Sequence, residues 1–271
     1  MLQVQYIHTL DLPELEPYRT MKRQLDHRQQ RIFVAEGEKV VRRLLDSRFT
    51  VVSLLLPEKW LRAYEPLLER RPEVIQAYVA EKEDLERLTG FTMYQGVLAV
   101  GRIPPLPSLS EILDSTASPR LFVALEGITN AQNLGGLVRN SAAFGAQALL
   151  VGETSSSPFL RRAVRSSMGA IFELPVVELD NLTATLRDLQ SKGIRTIAAH
   201  PHSDRRVLSQ AQLTRDCCLV FGSEGDGLTP ALLEACDDAV AIPMPPAVDS
   251  LNVGSAAAVF LYEVNRQRGT M

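Results

Sequence analysis

The sequence predicts an α/β protein with two domains, a smaller α/β domain followed by a larger one with a mostly parallel sheet. Beyond residue 120, apolar strand-like runs alternate with helical segments, which is typical of a parallel sheet covered by helices on both faces. Between residues 101 and 108, three prolines with a glycine and a serine predict an extended, exposed linker. We therefore expect domains at 1–103 and 120–271, joined by a linker at 104–119.

The first domain is expected to begin with a helix over residues 15–29 and to continue as alternating strands and helices. Continuous apolar runs in this part of the chain predict buried strands. The predicted strands are 31–35, 51–56, 75–79 and 96–100, and the later helices are 38–47, 58–69 and 81–89.

The second domain follows a short predicted helix at 109–115. Its predicted strands lie near 121–125, 147–151, 172–177, 195–199, 217–221 and 239–242, and its helices near 134–144, 158–168, 181–192, 230–235 and 251–268. Ligands of such sheets bind beyond the carboxyl ends of the strands. The loops that follow the strands are therefore the places where we expect a site.

The composition excludes several classes of protein. The chain has 271 residues, of which 45% are hydrophobic and 23% charged, and no apolar run approaches the roughly 20 residues that span a bilayer. The first residues lack the basic and apolar regions of a secretory signal. The cysteines at 217, 218 and 236 have no metal-ligand spacing. We expect reduced thiols, no metal site and a cytoplasmic protein.

The charge is unevenly distributed. The whole chain has a net charge of −3, whereas residues 19–43 hold eight basic and three acidic residues. A local basic segment on a nearly neutral protein indicates contact with a polyanion such as RNA, although a solvated helix face rich in arginine is the simpler alternative. The candidate RNA-binding residues are Arg19, Lys22, Arg23, Arg28 and Arg31.

The first candidate junction between a strand and a helix lies within residues 121–146. Asn133 follows the strand, and two glycines after it allow a close backbone approach. For this segment alone, the better interpretation is that Asn133 is a helix N-cap and that Arg139 is a surface residue. A lone arginine among small and apolar residues nevertheless makes Arg139 a candidate site residue.

The second junction is the glycine-rich loop at 222–227, directly after a buried strand. Three glycines in six residues let a backbone wrap around a ligand. The loop carries Glu224 and Asp226 and no lysine, which argues against a phosphate cradle and favours a neutral or cationic ligand. A plain turn with Glu224 at a helix N-terminus is the structural alternative.

The third junction lies between a proline-rich turn and the last helix. Ser250 and Asn252 sit where backbone N–H groups at the helix start lack partners, so these side chains can help to hold a ligand. Ser250 is also a candidate N-cap, and the two roles are compatible.

The three junctions, in this order on one α/β domain, form a specific pattern. They resemble the SpoU (TrmH-like) branch of the SPOUT RNA methyltransferases. The matching residues are Asn133 to Arg139, Phe221 to Leu228, and Ile242 to Val253, with a further match at 165–170. Segments 33–38 and 95–97 are similar to the family's ribosomal-protein-like substrate-binding domain. The resemblance extends over nearly the whole chain.

The resemblance implies a trefoil knot in the second domain, which no pattern argument predicts because threaded chains are nearly absent from folds. It implies S-adenosylmethionine as methyl donor, a homodimer with sites near the subunit interface, and methyl transfer to a ribose 2′-OH of RNA. The residues it implies around the donor are Gly222, Ser223, Gly227, Ile242, Met244 and Leu251.

The reaction requires the ribose hydroxyl to lose its proton as it attacks. His200 and His202 lie outside the three motifs, and the resemblance assigns the role to Arg139 instead. Because arginine normally keeps its proton, it either clamps the target phosphate or acts as a base in a strongly perturbed setting. By the same resemblance, Asn133 and Asn252 orient Arg139 and the ribose, Glu224 anchors them, and Ser250 holds substrate or donor.

Two positions depart from the family pattern, Pro246 where glycine is common and Gly254 where serine is common. They concern the affinity for the donor rather than the type of reaction. Ribosomal RNA is the favoured substrate because the large, locally basic first domain suits the reading of RNA shape. Transfer RNA, or an RNA-binding or ribosome-assembly role without catalysis, are the alternatives.

Overall fold

The computed structural model describes residues 1–21, 23–90, 92, 95–201, 206–245 and 247–270. Two compact units divide these residues. One contains Met1–Pro105 together with Phe159–Phe172, and the other contains Leu106–Pro158 and Glu173–Met271. A segment from the middle of the chain therefore belongs to the unit built by its first third.

The strands of the described residues are, in chain order, β1 (Leu2–Tyr6), β2 (Ile32–Glu36), β3 (Val51–Leu56), β4 (Ile75–Val79), β5 (Leu98–Arg102), β6 (Leu121–Leu125), β7 (Ala148–Val151), β8 (Val176–Glu178), β9 (Arg195–Ala199), β10 (Cys217–Phe221) and β11 (Asp238–Val240). The α-helices are α1 (Glu16–Arg19), α2 (Gln24–Gln29), α3 (Glu38–Asp46), α4 (Glu58–Leu68), α5 (Lys82–Thr89), α6 (Leu109–Ser115), α7 (Ala131–Ala143), α8 (Arg161–Ser166), α9 (Leu182–Ser191), α10 (Pro230–Ala235) and α11 (Val253–Arg268). Three short 3₁₀ turns lie at Pro13–Leu15, Ala170–Phe172 and Leu208–Gln210.

The first unit has a mixed sheet with the strand order β1-β4-β3-β5-β2. The pairs β1–β4 and β3–β4 are parallel, whereas β5 runs antiparallel to both of its neighbours. The edge strand β1 was not predicted. The helix expected over 15–29 is wrong as one continuous element. The chain forms a 3₁₀ turn that ends at Leu15 and two short helices, with Pro17 in the first turn of α1, which ends at Arg19, and with α2 beginning at Gln24.

The second unit has a sheet with the order β11-β9-β10-β6-β7-β8, and every strand pair in it is parallel among the described residues. This confirms the α/β fold class with a mostly parallel sheet. The central strands β6 and β10 are buried along their whole length, as expected for a sheet covered on both faces. The strand predicted at 172–177 is shorter, because a 3₁₀ turn occupies Ala170–Phe172 and β8 begins at Val176.

Three contacts position the last helix. The ring of Phe260 on α11 packs edge-on against Phe221 at the end of β10, with the ring centroids 5.7 Å apart. The side-chain amide of Asn140 on α7 donates to the carbonyl of Gly254, at 2.7 Å, and Asn265 on α11 donates to the carbonyl of Phe144, at 2.9 Å. Helix α11 is thus fastened near both of its ends to the carboxyl-terminal part of α7, and the two helices carry two of the predicted motifs side by side.

The cysteines fit the expectation of reduced thiols. Cys217 and Cys218 are buried on β10, Cys236 is partly buried, and all three are free. Among the described residues, no helix combines the length and the apolar character needed to cross a membrane.

Candidate active site

The first and second motifs meet because their strands are neighbours. Strands β6 and β10 pair in parallel, so the loops after them leave the same edge of the sheet. The backbone N–H of Glu126, at the end of β6, donates to the carbonyl of Phe221 at the end of β10, at 2.9 Å. The Glu126 carboxylate then accepts hydrogen bonds from the backbone N–H and the hydroxyl of Thr229, both at 2.8 Å. The two loops are therefore joined at their bases.

The glycine-rich loop after β10 is closed on itself. The N–H of Ser223 donates to the carbonyl of Gly227 at 3.1 Å, and the N–H of Asp226 donates to the Ser223 hydroxyl at 3.2 Å. A Cβ atom on Gly222 would lie 2.2 Å from the carbonyl carbon of Gly227. Only glycine fits this position, because the loop's own backbone occupies the space that a side chain needs.

The three motifs converge on one side chain, Asn252. Its amide nitrogen donates to the side-chain oxygen of Asn133, at 3.0 Å, and to the carboxylate of Glu224. Its amide oxygen accepts from the backbone N–H groups of Gly254 and Ser255, at 3.0 and 3.4 Å, and so caps α11. Residues from α7, the glycine-rich loop and the start of α11 are joined through this amide.

Three interpretations made from the sequence, each of which concerns a helix N-terminus, are wrong. The N-cap of α7 is Asn130, whose side chain accepts from the N–H groups of Gln132 and Asn133, so Asn133 is not the cap. The N-cap of α11 is Asn252 rather than Ser250. Glu224 does not lie at a helix N-terminus, since α10 begins at Pro230 with Thr229 as its cap.

The network does not include the other two catalytic candidates. Arg139 lies on the exposed side of α7, and among the described residues it has no hydrogen-bond or ion-pair partner. Ser250 is exposed in the segment between β11 and α11. Both side chains are available to a ligand or to another chain.

Two cavities share the glycine-rich loop. The first, of about 250 Å³, lies between this loop, the end of β9 and the segment 242–253. It is lined by all six residues expected around the donor, Gly222, Ser223, Gly227, Ile242, Met244 and Leu251, and by Ser250. His200, which lies outside the three motifs, also lines it. Pro246 and His202 lie outside the described residues.

The second cavity, of about 480 Å³, lies between the first-motif loop and the glycine-rich loop. Its lining includes Glu126, Asn130, Asn133, Glu224 and Thr229. Because Asn133 and Glu224 border this cavity while Glu224 also borders the first, the amide network stands at the wall between the two. The two cavities therefore adjoin at the glycine-rich loop.

Sequence reasoning missed the hydroxyl groups that support the first-motif loop. Thr154 and Ser155 accept from the N–H groups of Gly127 and Ile128, at 3.0 and 3.1 Å. The hydroxyl of Ser155 also donates to the carbonyl of Leu125, at 3.2 Å. The signal was present as a run of one threonine and three serines directly after a strand, since hydroxyl side chains satisfy the backbone of turns.

The charge of the first cavity suits a cationic ligand. Glu224, Asp226 and Asp249 border it, and no described lysine or arginine does. A sulfonium ion gains from such surroundings, whereas a phosphate group would be repelled. The residues present therefore fit S-adenosylmethionine, whose sulfonium group is positively charged.

The RNA-binding candidates from residues 19–31 are only partly available. Arg19 donates to the carbonyls of Leu10 and Leu12, the latter at 3.0 Å, and Arg31 donates to the carbonyl of Pro104 at 2.5 Å. Arg23 and Arg28 are exposed, and Lys22 lies outside the described residues. Two of the five arginine and lysine side chains thus donate hydrogen bonds to backbone carbonyls of the same unit.

Among the described residues, an all-parallel sheet with a glycine-rich loop and two adjoining cavities at the carboxyl ends of its strands is typical of α/β enzymes that bind a cofactor there. Residues 120–262 match the SpoU rRNA methylase family. The chain belongs to this family and is an S-adenosylmethionine-dependent RNA methyltransferase.

Similar proteins span most of the chain. An uncharacterized tRNA/rRNA methyltransferase of Mycobacterium bovis is 34% identical over 98% of this chain and 93% of its own length. The 23S rRNA (guanosine-2′-O-)-methyltransferase RlmB of Vibrio vulnificus is 34% identical over 78% of this chain and 91% of its own. The SpoU methyltransferase AviRb from Streptomyces viridochromogenes, solved in complex with S-adenosylmethionine, shares the fold with a TM-score of 0.82 at 24% identity, over 96% of this chain and 99% of that one.

Proposed function

We propose that this protein transfers a methyl group from S-adenosylmethionine to a ribose 2′-OH of ribosomal RNA. The observation that carries the proposal is the Asn133–Asn252–Glu224 network, which stands between a cavity suited to the donor and a cavity open to a nucleotide. The similarity to a 23S rRNA guanosine-2′-O-methyltransferase supports both the reaction and the class of RNA. When bound, the donor supplies an electrophilic methyl group, and the chain's residues position the two reactants.

The amide and carboxylate groups of the network orient the reacting ribose. The second oxygen of Glu224 has no partner among the described residues, and the same holds for the amide nitrogen of Asn133. One acceptor and one donor are therefore free at the wall between the cavities. A ribose 2′-OH, which both donates and accepts, can be held there at the boundary with the donor.

Arg139 has the chemistry to bind the phosphate next to the target ribose. Its guanidinium is exposed and offers a planar set of donors that matches phosphate oxygens. A cation beside the ribose favours loss of the 2′-OH proton, because it stabilises the negative charge that forms on the attacking oxygen. We assign Arg139 this clamping role, and Ser250, at the edge of the first cavity, the role of holding donor or substrate.

A homodimer accounts for the exposed face of the paired helices. Val259 and Tyr262 on α11 are 40% and 50% exposed, and Gly136, Arg139 and Ala143 lie on the open side of α7. Apolar side chains beside small residues suit close packing against a second copy. Dimerization through this face would bring Arg139 to the subunit interface. Light scattering should give twice the mass of the chain, and Tyr262→Glu should give the monomer.

Substrate binding and catalysis are assigned to successive parts of the chain. We propose a substrate-binding part within residues 1–103, a connecting segment at 104–119 and a catalytic part at 120–271, with a ribosomal-protein-like fold in the first and a trefoil knot in the last. We also propose that the protein works in the cytoplasm, where RNA is modified. Separate methylation assays with rRNA and tRNA distinguish the favoured substrate from the alternative.

The test of the function is transfer of labelled methyl from S-adenosylmethionine to total RNA from cells that lack the gene, followed by nucleoside analysis. Label in 2′-O-methyl nucleosides of large-subunit rRNA is expected. Arg139→Ala should reduce the rate by roughly 10²- to 10³-fold, as loss of one charge-stabilising donor does. Arg187→Ala is the matched control, since Arg187 is an exposed arginine on α9 away from both cavities. Label in tRNA alone would overturn the choice of substrate, and absence of label together with absence of donor binding would overturn the reaction.

A further inference from the structure

A segment from the middle of the chain is built into the first unit by an aromatic cluster. Phe159 and Phe172 bracket this segment and pack against Phe33 of β2 and against Phe49, with ring centroids 5.4 to 6.1 Å apart. Gly101 on β5 makes room for the cluster, since a Cβ there would lie 2.4 Å from the ring of Phe33. Aromatic packing of this kind fixes the segment firmly on the sheet.

Polar contacts set the orientation of α8 within the segment. The side chain of Glu36, at the end of β2, is only 8% exposed and forms ion pairs with Arg161 and Arg165. Arg161 is 13% exposed and acts as the buried anchor, whereas Arg165 is 58% exposed. Arg43 on α3 donates to the carbonyl of Met168, at 2.7 Å, just after α8 ends.

These contacts align basic side chains from two distant parts of the sequence. Arg162 and Arg165 are three residues apart on α8, and such neighbours lie about 5–6 Å apart on a helix surface. Arg43 meets the end of α8 at Met168, and Lys39 lies one turn before Arg43 on α3. Side chains Arg162, Arg165, Arg43 and Lys39 therefore form a row, which we name the α3–α8 basic row.

The charge of this surface is opposite to that of the chain. Segments 36–48 and 159–172 contain seven basic and three acidic residues, a net charge of +4, while the whole chain has a net charge of −3. Lys39 and Arg162 are exposed and have no hydrogen-bond or ion-pair partner within the described part of the chain. Cations along one row repel one another, which favours a polyanionic partner that neutralises them.

We propose that the α3–α8 basic row docks the sugar-phosphate backbone of the substrate RNA. The proposal rests on the proposed function for the presence of RNA, and it moves the docking surface away from residues 19–31. In that earlier set, Arg19 and Arg31 are occupied with backbone carbonyls. In the α3–α8 basic row, Glu36 and the aromatic cluster hold the backbone that carries the cations, while the outer cations remain free.

The experiment compares full-length protein variants in binding an rRNA fragment at several salt concentrations, by fluorescence anisotropy. Each phosphate contact that is lost lowers the slope of log K against log salt by about 0.7 to 0.9. The double variant Lys39→Ala/Arg162→Ala should lower that slope by roughly 1.4 to 1.8 and weaken binding roughly tenfold at low salt. Arg62→Ala is the matched control, because Arg62 is an exposed arginine of the same unit on α4, 76% exposed. It should leave the slope unchanged.

Calorimetric binding of S-adenosylmethionine, expected to be unchanged, confirms that the double variant is folded. An unchanged slope and affinity in a folded double variant would overturn the proposal, as would an equal loss in Arg62→Ala. The charge reversal Arg162→Glu gives a second reading and should weaken binding more than Arg162→Ala. The binding measurement does not require turnover. Failure of the wild-type protein to methylate RNA would therefore count against the proposed reaction. A wild-type slope of log K against log salt in the variants would count against the docking surface.

Discussion

Gly222→Ala tests whether the closed glycine-rich loop forms the donor site. The added Cβ would lie 2.2 and 2.3 Å from the carbonyl carbon and oxygen of Gly227, and 2.4 Å from the nitrogen of Leu228. All three atoms belong to backbone, so no side chain can rotate away to relieve the overlap. The loop must open, and the hydrogen bond from Ser223 to Gly227 that closes it must lengthen or break.

The size of the effect follows from the cost of overpacking. Forcing extra atoms into closely packed surroundings costs about 1–3 kcal/mol. If the donor binds only to the closed loop, the cost appears in binding, and about 1.4 kcal/mol corresponds to tenfold in Kd. We therefore expect Gly222→Ala to weaken S-adenosylmethionine binding by roughly 5- to 150-fold, measured by isothermal titration calorimetry.

Gly225→Ala is the matched control, three residues further along the same loop. A Cβ on Gly225 would meet no atom within 4 Å, and its backbone does not adopt the left-handed conformation that requires glycine. We expect its Kd to stay within about twofold of the wild type, since surface substitutions away from such contacts change free energies by about 0.5 kcal/mol or less. Equal affinities for the two variants would refute the assignment of the donor to this loop.

Three further predictions concern the network, acid stability and the thiols. Asn252→Asp keeps the helix cap but replaces the amide donor with a second carboxylate beside Glu224, so methyl transfer should fall about 10- to 100-fold with little loss of thermal stability. Asn265→Ala, on the same helix as Asn252, removes the hydrogen bond to the carbonyl of Phe144 at the end of α7, and it should lower thermal stability with little effect on methyl transfer. Burial raises the pKa of Asp216, but hydrogen bonds from Ser118 and Arg120 outweigh it and leave the pKa below its usual value. The ionised form therefore stabilises the fold above the unfolded pKa of about 3.9, and this contribution is lost as pH falls through the folded pKa. In urea unfolding, Asp216→Asn should reduce the loss of stability that the wild type shows at acid pH. An unchanged dependence of stability on acid pH would contradict the assignment. Burial raises the pKa of Cys217 to about 11 and that of Cys236 to about 12, so iodoacetamide at about pH 8 should label neither thiol until urea unfolds the protein, and rapid labelling of the native protein would refute this.

The parallel sheet was predictable from the sequence because its strands are buried on both faces and appear as continuous apolar runs. Strand β1 was missed for the opposite reason. It is an edge strand whose residues after Leu2 are all exposed, so it carries no such run. The interruption of the helix predicted at 15–29 depends on local detail, including Pro17 in the first turn and a break that the apolar pattern does not reveal.

The membership of residues 159–172 in the first unit could not be predicted from local patterns. The sequence predicts a helix there, and α8 is present. Its partners, however, are Phe33 and Glu36, more than 120 residues earlier, and neither periodicity nor capping carries information about contacts over that distance. The convergence of Asn133 and Asn252, 119 residues apart, was expected only from the family resemblance.

The asparagine at position 252 shows why the site and the fold cannot be separated. One side of its amide is an acceptor that caps α11, and the other is a donor that reaches Asn133 and Glu224. Aspartate supplies only the acceptor, and serine is too short to do both. The cap fixes the side chain of Asn252 relative to the helix axis, and α11 is fixed by the packing of Phe260 against Phe221. The direction of the amide N–H groups of Asn252 is therefore set by the packing of the core. The wall between the two cavities is thus positioned by the same contacts that hold the last helix on the sheet, and the amide network is in place before RNA binds.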